Sequence, residues 1–386
     1  MNGGGAARGA ATAAAAAGAA AAGAAASPTQ QQQPLPATYR LLVAARAGGS
    51  FRAVARAVEA PMPAPGPGEV LVRIHFAGIN GGCETFRARG EHAFASNSAR
   101  EAFPLGAEGA GVVVAAGAGV ASPRVGEAVA CNGAAAFAEY AVAKAAMCTP
   151  LPGPPTAEAV ALVLSGVTAA AALHGTARVA PGQTVAVTAA AGGTGHFAVQ
   201  LARLAGARVI AVTGSPQKAE RLRELRPDAV ICHATEDVDA ALAREAPTGL
   251  DVIYEGVGGG LRRTVERHLA PGGKLLQVGY ISEYPHALPP GAPVGAGGEG
   301  VPLDALFWGG KRVELPWGRT IFGQVWPSDP KEILRAKRRV FDLYASGQLL
   351  SWTDLSHGFR GVDQIPDAVD YMLEGGHVGK VVIPLM

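Results

Sequence analysis

A short glycine-rich segment carries the clearest chemical signal in this sequence. It reads VAVTAAAGGTG from Val185 to Gly195, an apolar run that ends in a glycine turn. Beyond the turn, Phe197, Leu201 and Leu204 recur at i, i+4 and i+7, a spacing that predicts one apolar face of a helix. A strand, a tight turn and a helix N-terminus together form an anion site, because free backbone N–H groups point at a bound phosphate. The segment therefore predicts a site for the phosphates of a dinucleotide.

The residues of this turn have separate predicted roles. We expect Gly192 to let a pyrophosphate approach the backbone, and Gly195 to let the helix pack closely on the strand. Gly193 and Thr194 complete the predicted phosphate-binding turn. Ala190 stands where the first glycine of G-x-G-x-x-G is usual, so an ordinary Ala/Gly-rich turn in a chain with 53 glycines is the alternative. The strand and the helix around the turn favour the dinucleotide site.

The next predicted strand, Arg208 to Val212, ends in residues that bear on the choice of cofactor. An NAD site usually has a carboxylate about 20 residues past the glycines, which accepts a hydrogen bond from the ribose 2′-hydroxyl. Ser215 and Lys218 follow the strand here, with no carboxylate nearby. A hydroxyl and an ammonium can bind a 2′-phosphate, so we predict NADPH as the cofactor. A solvated lysine on the first turn of a helix is the alternative.

Strand and helix patterns continue to alternate from residue 228 to residue 279. Short breaks separate them, which is typical of a parallel, doubly wound α/β sheet. Glycine-containing turns follow two of the predicted strands, at Gly256-Val257 and at 279–282. Ligands of open α/β sheets bind beyond the carboxyl ends of the strands, so both turns are candidate parts of the same site.

Composition and charge exclude several other classes of protein. A chain of 386 residues is long enough for two domains with separate cores. Its net charge of +2 predicts neither a nucleic-acid nor a membrane partner. No strongly apolar stretch approaches the length of a membrane span. The four cysteines form no C-x-x-C pair, which argues against a structural zinc site and fits a reducing compartment.

Residues 1–37 have a different composition from the rest of the chain. They are rich in Ala, Gly and Gln, with too little apolar bulk to offset the entropy of ordering, so we expect a disordered tail. Transit peptides are rich in Ser and Arg, and this segment has one of each. We therefore predict a cytoplasmic location. Import into a mitochondrion, chloroplast or peroxisome is the alternative.

Several separate motifs resemble the medium-chain dehydrogenase/reductase superfamily and occur in that family's order. They lie at 70–80, 103–111, 125–129, 137–140, 166–170, 189–195 and 379–382. The resemblance covers the chain from about Leu41 to its end. It implies a Rossmann-type doubly wound parallel sheet domain at 166–318, inserted in a β-rich GroES-like catalytic domain at 38–165 and 319–386. A homodimer is also expected from it.

The departures from that family narrow the resemblance. Its zinc-dependent members bind catalytic zinc through a Cys and a His, where this chain has Asn80 and Ala107. We therefore predict no metal. The chain is then most similar to the zinc-free quinone oxidoreductase and enone reductase branch, and within it to prostaglandin reductase 3-type proteins through 254–259 and 278–282. His233 and Gly256 replace that group's usual Tyr and Ser at two cofactor contacts.

The resemblance also implies most of the remaining site residues. Asn80 would orient the substrate or the nicotinamide, and the alternative is an amide that only stabilises a turn. Tyr284 is the nearest candidate phenol to supply a proton or a hydrogen bond, and the alternative is a plain aromatic wall. Further cofactor contacts are implied at Thr168, His233, Gly256, Val257, Tyr280, Ile281, Gly323, Gln324, Val325 and Lys380. Thr168 has the alternative of a buried helix hydroxyl, and the segment with Gly323 that of an edge strand.

These expectations combine into one predicted chemistry. Hydride transfer to a polarised C=C requires NADPH near the substrate β-carbon and donors for the charge that develops on the carbonyl oxygen. The leading prediction is therefore an NADPH-dependent reductase of small α,β-unsaturated carbonyl compounds, such as 15-oxoprostaglandin-like enones, or of quinones. A one-electron quinone reductase and a non-catalytic NADPH-binding protein are the alternatives.

Overall fold

Three β-sheets organise the part of the chain that the structure describes. The structure is a computed structural model and describes residues 34–286, 302–323, 327 and 329–386. The predicted disordered tail lies outside these residues up to position 33. Ala37 to Met386 forms one compact unit.

The N-terminal part is rich in strands, as predicted. Its strands are β1 (Thr38–Ala44), β2 (Ala55–Pro61), β3 (Glu69–Gly78), β4 (Phe103–Pro104), β5 (Glu108–Ala116), β6 (Ala128–Asn132), β7 (Tyr140–Lys144) and β8 (Cys148–Pro150). The α-helices between them are α1 (Phe51–Val54) and α2 (Gly81–Arg89). One 3₁₀ helix, His92–Ala99, follows α2.

The central part alternates strands and helices. A continuous helix, Ala157–Ala177, comes first and contains the α-helical stretches α3 (Ala157–Ala161) and α4 (Val167–Ala170). The strands that follow are β9 (Thr184–Val187), β10 (Arg208–Thr213), β11 (Ala229–Cys232), β12 (Leu250–Glu255), β13 (Leu269–Gln277), β14 (Arg312–Glu314) and β15 (Thr320–Gly323). The helices are α5 (Gly195–Leu204), α6 (Pro216–Leu222), α7 (Val238–Glu245), α8 (Gly259–Arg267) and α9 (Leu303–Trp308).

The C-terminal part returns to the first strands. It consists of α10 (Pro330–Ala345), β16 (Thr353–Asp354), α11 (Ile365–Glu374) and β17 (Lys380–Pro384). Strand β17 pairs antiparallel with β3, with Val382 opposite Gly78. It thereby joins a seven-stranded sheet of order β16-β17-β3-β5-β6-β8, in which β7 also pairs with β3. Strands β2, β1 and β4 form the small third sheet.

The central strands form the predicted doubly wound sheet. Their order is β11-β10-β9-β12-β13-β15-β14, and all neighbours are parallel except β14 with β15. The order reverses between β9 and β12, which is the point where ligands of such sheets bind. The predicted fold class is therefore confirmed. The predicted domain boundaries stay a prediction, since the helix at Ala157–Ala177 runs across the one at 165/166.

Two sequence expectations differ from the structure. Phe197 and Leu201 are fully buried on α5, but Leu204 is 42% exposed because the helix ends at this residue. The Ala-rich helix Ala157–Ala177 is long and apolar enough to cross a membrane by length and composition, and 72% of its most apolar window is buried inside the protein. Such burial is typical of a core helix in a globular fold. The many alanines of this helix pack inside the protein, and they also raise its mean hydropathy.

Candidate cofactor and active site

A cavity of about 630 Å³ lies beyond the carboxyl ends of the parallel strands. Its floor includes the residues that follow β9, β10 and β12, at the reversal of strand order. The start of α2 and the start of β17, which pairs with β3, complete the wall. The cavity brings together Asn80, Thr168, Gly192, Gly193, Thr194, Lys218, His233, Gly256, Val257, Ile281, Tyr284 and Lys380 among the predicted site residues.

Four other predicted site residues do not line the cavity. Gly195 packs against Ala189, Ser215 caps α6, and Gly323 lies at the end of β15 against the backbone of α9. Tyr280 is buried, and its hydroxyl donates to Asp304 at 2.6 Å and accepts from the Trp308 indole N–H at 2.8 Å. The Tyr280 side chain therefore packs against α9, and its cofactor contact stays a prediction. Gln324 and Val325 lie outside the described residues.

The glycine turn is open where a phosphate would approach. A Cβ built on Gly192 meets only the Ala189 carbonyl oxygen, at 3.1 Å. The Gly192 N–H donates to that oxygen at 2.8 Å, and the Gly193 N–H faces the Gly379 carbonyl in the isolated parallel bridge between Gly192 and Gly379. The Thr194 N–H donates to no backbone carbonyl among the described residues. This free donor lies just before the N-terminus of α5, so it is placed to bind an anion.

The close packing expected at Gly195 is present. A Cβ at this position would lie 2.2 Å from the Ala189 carbonyl oxygen, so only glycine fits without a shift of the backbone. Ala189 itself has a φ of 46°, a left-handed conformation that a residue with a side chain rarely adopts. Nothing in the residue pattern indicates that alanine holds this position.

Hydrogen bonds tie the turn to the C-terminal part of the chain. The Trp352 N–H donates to His196 Nε2 at 3.1 Å, which places the imidazole proton on Nδ1. Nδ1 then donates to the Gly192 carbonyl at 2.9 Å. Burial lowers the pKa of His196 to about 4, so the ring is neutral at physiological pH. The Gly379 N–H adds a bond to the Ala191 carbonyl at 2.7 Å.

One end of the cavity is suited to a 2′-phosphate. Lys218 and His233 lie there together with Gly214, and no Asp or Glu of the described chain lines the cavity. The Lys218 ammonium donates to the Gly375 carbonyl, and burial lowers its pKa while Asp354 raises it. Ser215 contributes by capping α6, since its hydroxyl accepts from the Lys218 N–H at 3.3 Å. This cap fixes the first turn of the helix that carries Lys218.

Two residues that line the cavity, Asn80 and Lys380, form a buried polar cluster with Glu108, which lies behind them. Lys380 Nζ lies 2.5 Å from Glu108 Oε1, and the two side chains are 3% and 0% exposed. The same ammonium donates to Asn80 Oδ1 at 2.5 Å, and Asn80 Nδ2 donates to Glu108 Oε1 at 2.8 Å. The sequence reasoning missed Glu108, although its place in the 103–111 motif beside Ala107 was a usable signal.

This cluster does not fit a zinc ion. Asn80 stands at one zinc-ligand position of the family, and its amide is bonded to Lys380 and Glu108. Ala107, at the other position, has no ligand atom in its side chain. The Lys380 ammonium beside the amide would repel a divalent cation. Among the described residues, no group of three or more His, Cys, Asp or Glu side chains is placed to hold a metal.

Three further titratable groups lie at the start of α2 and opposite it. Burial raises the pKa of Cys83 to about 12, so its thiol is protonated at physiological pH and is a poor nucleophile. Burial also raises the pKa of Glu84 to about 7, and neither of its carboxylate oxygens has a hydrogen-bond partner. Tyr284 lines the cavity, and burial raises its pKa, so the phenol keeps its proton.

Comparisons with known proteins show what this chain is similar to. The profile of the alcohol dehydrogenase GroES-like domain matches residues 66–153, and that of the zinc-binding dehydrogenase family matches residues 193–296. Prostaglandin reductase-3 of Mus musculus is 37% identical, over 91% of this chain and 90% of its own length. A probable quinone oxidoreductase of Leishmania amazonensis is 33% identical, over 91% of this chain and 99% of its own.

Solved structures point the same way. A mycobacterial protein solved in complex with NADPH is 25% identical, covers 90% of this chain and 99% of its own, and superposes with a TM-score of 0.71. The chain thus belongs to the medium-chain dehydrogenase/reductase superfamily, in its quinone oxidoreductase branch, and is an NAD(P)H-dependent oxidoreductase.

Proposed function

We propose that the protein is an NADPH-dependent reductase that transfers a hydride to the C=C of α,β-unsaturated carbonyl compounds or to quinones, without zinc. One observation carries the proposal. A single cavity joins a phosphate-binding turn to a wall of apolar and aromatic side chains, with two N–H donors, Asn80 and Lys380, beside that wall. The names of the relatives, prostaglandin reductase-3 and quinone oxidoreductase, support the same class of substrate.

The described residues fit the parts of the dinucleotide. Thr194 would hold the pyrophosphate through its N–H group, with Gly193 beside it, and Lys218 with His233 would hold the 2′-phosphate. When bound, NADPH supplies the hydride and its two electrons. The absence of Asp and Glu from the described cavity wall supports NADPH over NADH, because no carboxylate would repel the additional phosphate.

Asn80 and Lys380 are suited to stabilise the reacting carbonyl oxygen. Lys380 has three N–H donors and uses two of them on Asn80 and Glu108. The Asn80 amide uses one of its two N–H donors on Glu108. One donor on each residue is therefore left for an oxygen that gains negative charge as the hydride arrives. Phe94, Phe307 and Trp308 line the cavity and exclude water from the reacting groups.

The test is a steady-state assay of NADPH oxidation with a panel of enones and quinones, in the presence of a strong chelator. We expect activity that the chelator leaves unchanged, with the saturated ketone as the product of a simple enone. Semiquinone radicals would support one-electron reduction instead. Tight NADPH binding without oxidation across the panel would indicate a non-catalytic binding protein. Loss of activity in the chelator, restored by zinc, would contradict the metal-free part of the proposal.

Lys218→Ala should weaken NADPH binding by roughly tenfold or more, because a charge-assisted contact contributes about 1.5–3 kcal/mol. NADH lacks the 2′-phosphate, so its affinity should stay nearly unchanged. Fluorescence titration with both cofactors measures the difference. Arg221→Ala is the matched control, since Arg221 lies one turn further along α6, stacks on Trp352 and does not line the cavity. Equal losses for NADPH and NADH in Lys218→Ala would rule out the assignment.

Asn80→Ala and Tyr284→Phe should leave NADPH affinity intact and lower turnover only in part. Removing one positioning or hydrogen-bonding group typically costs about 10–1000-fold in rate. The kcat of each variant, measured beside its NADPH affinity, separates the two effects. Tyr284→Phe without measurable turnover would make the Tyr284 phenol the obligatory proton donor, contrary to this expectation.

We also propose a homodimer that forms through the nucleotide-binding sheet. Strand β14 ends the order of that sheet and pairs only with β15 among the described strands. Trp317, which follows it, is 74% exposed, and an open strand edge beside an exposed aromatic residue favours association. Light scattering should give the mass of two chains, and Trp317→Asp should shift the mass towards one. A wild-type mass of one chain would contradict the dimer.

The predicted cytoplasmic location is part of the same proposal. All four cysteines are free, which supports a reducing compartment.

A further inference from the structure

Two cysteines face each other on neighbouring strands of the seven-stranded sheet that contains β3. Cys131 of β6 and Cys148 of β8 are direct partners in the antiparallel register. The Leu151 N–H donates to the Ala128 carbonyl at 2.8 Å, so that pair is hydrogen-bonded. Alternation along the ladder then makes Cys131–Cys148 a non-hydrogen-bonded pair, in which the Cα atoms are about 4.5 Å apart and both side chains point to the same face. This separation lies within the range that a disulfide spans.

The two thiols are sheltered from solvent. Cys131 is 0% exposed and Cys148 is 8% exposed. Cys148 Sγ donates to the Lys144 carbonyl at 3.6 Å. Neither cysteine lines the cofactor cavity. The pair is therefore a site apart from the proposed active site.

The charge of a buried lysine of α10 acts on this pair. Lys337 is 8% exposed and has no ion pair with a carboxylate of the described chain. The neighbouring groups that act on its charge are Cys148 and then Cys131. An ammonium without a carboxylate partner favours a thiolate beside it. The hydrogen bond from Cys131 and the charge of Lys337 lower the pKa of Cys148, whereas the hydrogen bond to Cys148 and burial raise that of Cys131.

We propose that Cys131 and Cys148 form a redox-active dithiol that a hydroperoxide oxidises to a disulfide, with Cys148 as the residue that reacts first. Its sulfur attacks the terminal oxygen of the hydroperoxide, the O–O bond breaks, and a sulfenic acid forms as an alcohol or water leaves. The Cys131 sulfur then attacks the Cys148 sulfur, and the S–O bond breaks as water leaves with the Cys131 proton. Two thiols lose two electrons, and the hydroperoxide gains them. A dithiol reductant reverses the step by exchange.

The test uses the purified full-length protein and hydrogen peroxide as the probe. After treatment, free thiols are alkylated, and the protein is digested without reductant for mass spectrometry. We expect a peptide pair joined through Cys131 and Cys148, two hydrogens lighter than the separate peptides and split again by dithiothreitol. The cross-link closes a short loop, so the midpoint of thermal unfolding should rise by about a few degrees in the oxidised protein. Both thiols remaining alkylatable after treatment would overturn the proposal.

Variants separate the roles of the two cysteines. In Cys131→Ala, dimedone should trap a sulfenic acid on Cys148, whereas Cys148→Ala should give no adduct on Cys131. An adduct on Cys131 alone would overturn the assigned order. Cys232→Ser is the matched control and should still form the cross-link.

Lys337 offers a test that keeps both thiols. Lys337→Met should slow cross-linking severalfold, because without the ammonium the pKa of Cys148 rises and less of it is thiolate. Lys337→Arg retains the charge and should restore most of the rate. An unchanged rate in Lys337→Met would remove the lysine from the site.

Discussion

Gly192→Val should abolish measurable dinucleotide binding while the protein stays folded. A Cβ at Gly192 has only the Ala189 carbonyl oxygen within 4 Å, at 3.1 Å, so the backbone has to give little. The valine side chain would instead fill the space beside the free N–H group of Thr194, where we propose that the pyrophosphate lies. We expect a loss of at least about a hundredfold in NADPH affinity, or ~3 kcal/mol. Fluorescence titration measures the loss, and circular dichroism checks the fold.

Two other glycines serve as controls for that variant. Gly195→Ala should destabilise the fold itself, because its Cβ would lie 2.2 Å from the Ala189 carbonyl oxygen. Gly153→Val should leave both folding and binding unchanged, since a Cβ at Gly153 has no neighbour within 4 Å. A folded Gly192→Val protein with normal NADPH affinity would show that the turn does not hold the cofactor.

Lys380→Met should lower the free energy of unfolding by about 3–5 kcal/mol, because it leaves the Glu108 carboxylate buried without a counter-charge. Glu108 is 0% exposed, and Lys380 Nζ is its only ion-pair partner in the described chain. The loss is large compared with the total stability of a typical domain, about 5–15 kcal/mol. Urea unfolding followed by circular dichroism measures the loss. No cofactor is added, so that only the stability of the fold is compared.

The double variant Glu108→Gln, Lys380→Met tests the cause of that loss. Removing both charges should recover much of the stability, since no buried charge is then left without a partner. Arg40→Met is the control, because the Arg40–Asp363 pair has side chains that are 47% and 59% exposed, and such pairs contribute about 0–1 kcal/mol. A cost for Lys380→Met no greater than that for Arg40→Met would contradict the importance of the buried pair.

The parallel sheet could be predicted from the sequence because its signals are local. An apolar run followed by glycine marks β9 and the turn, and the predicted strand at Arg208 to Val212 differs from β10 by one residue. Strands β9, β10 and β12 are short and mostly buried, and each is followed by a break, so the pattern repeats within windows of a few residues. Such windows carry enough information to assign the element and its order.

The polar cluster could not be predicted in the same way. Asn80 and Lys380 are 300 residues apart in sequence, and nothing in the segment around either residue shows that β17 returns beside β3. The direction of a side chain is equally hidden. Tyr280 and Tyr284 belong to the same short segment, and both are predicted site residues. The Tyr280 phenol faces Asp304, whereas Tyr284 lines the cavity. Only the packing of α9 against β13 and β15 decides between them.

The hydrogen bonds that join the glycine turn to the C-terminal part would link cofactor binding to the stability of the whole protein. Through His196 the turn is joined to Trp352, and through Ala191 it is joined to Gly379. Gly379 lies just before β17, which pairs with β3. A ligand that binds only the folded state adds to its stability by mass action, about 2.7 kcal/mol at a hundred times its Kd. Chains without cofactor would open more often and would be degraded first. The supply of reduced dinucleotide in a cell would then set how much of this protein persists, as well as how fast it works.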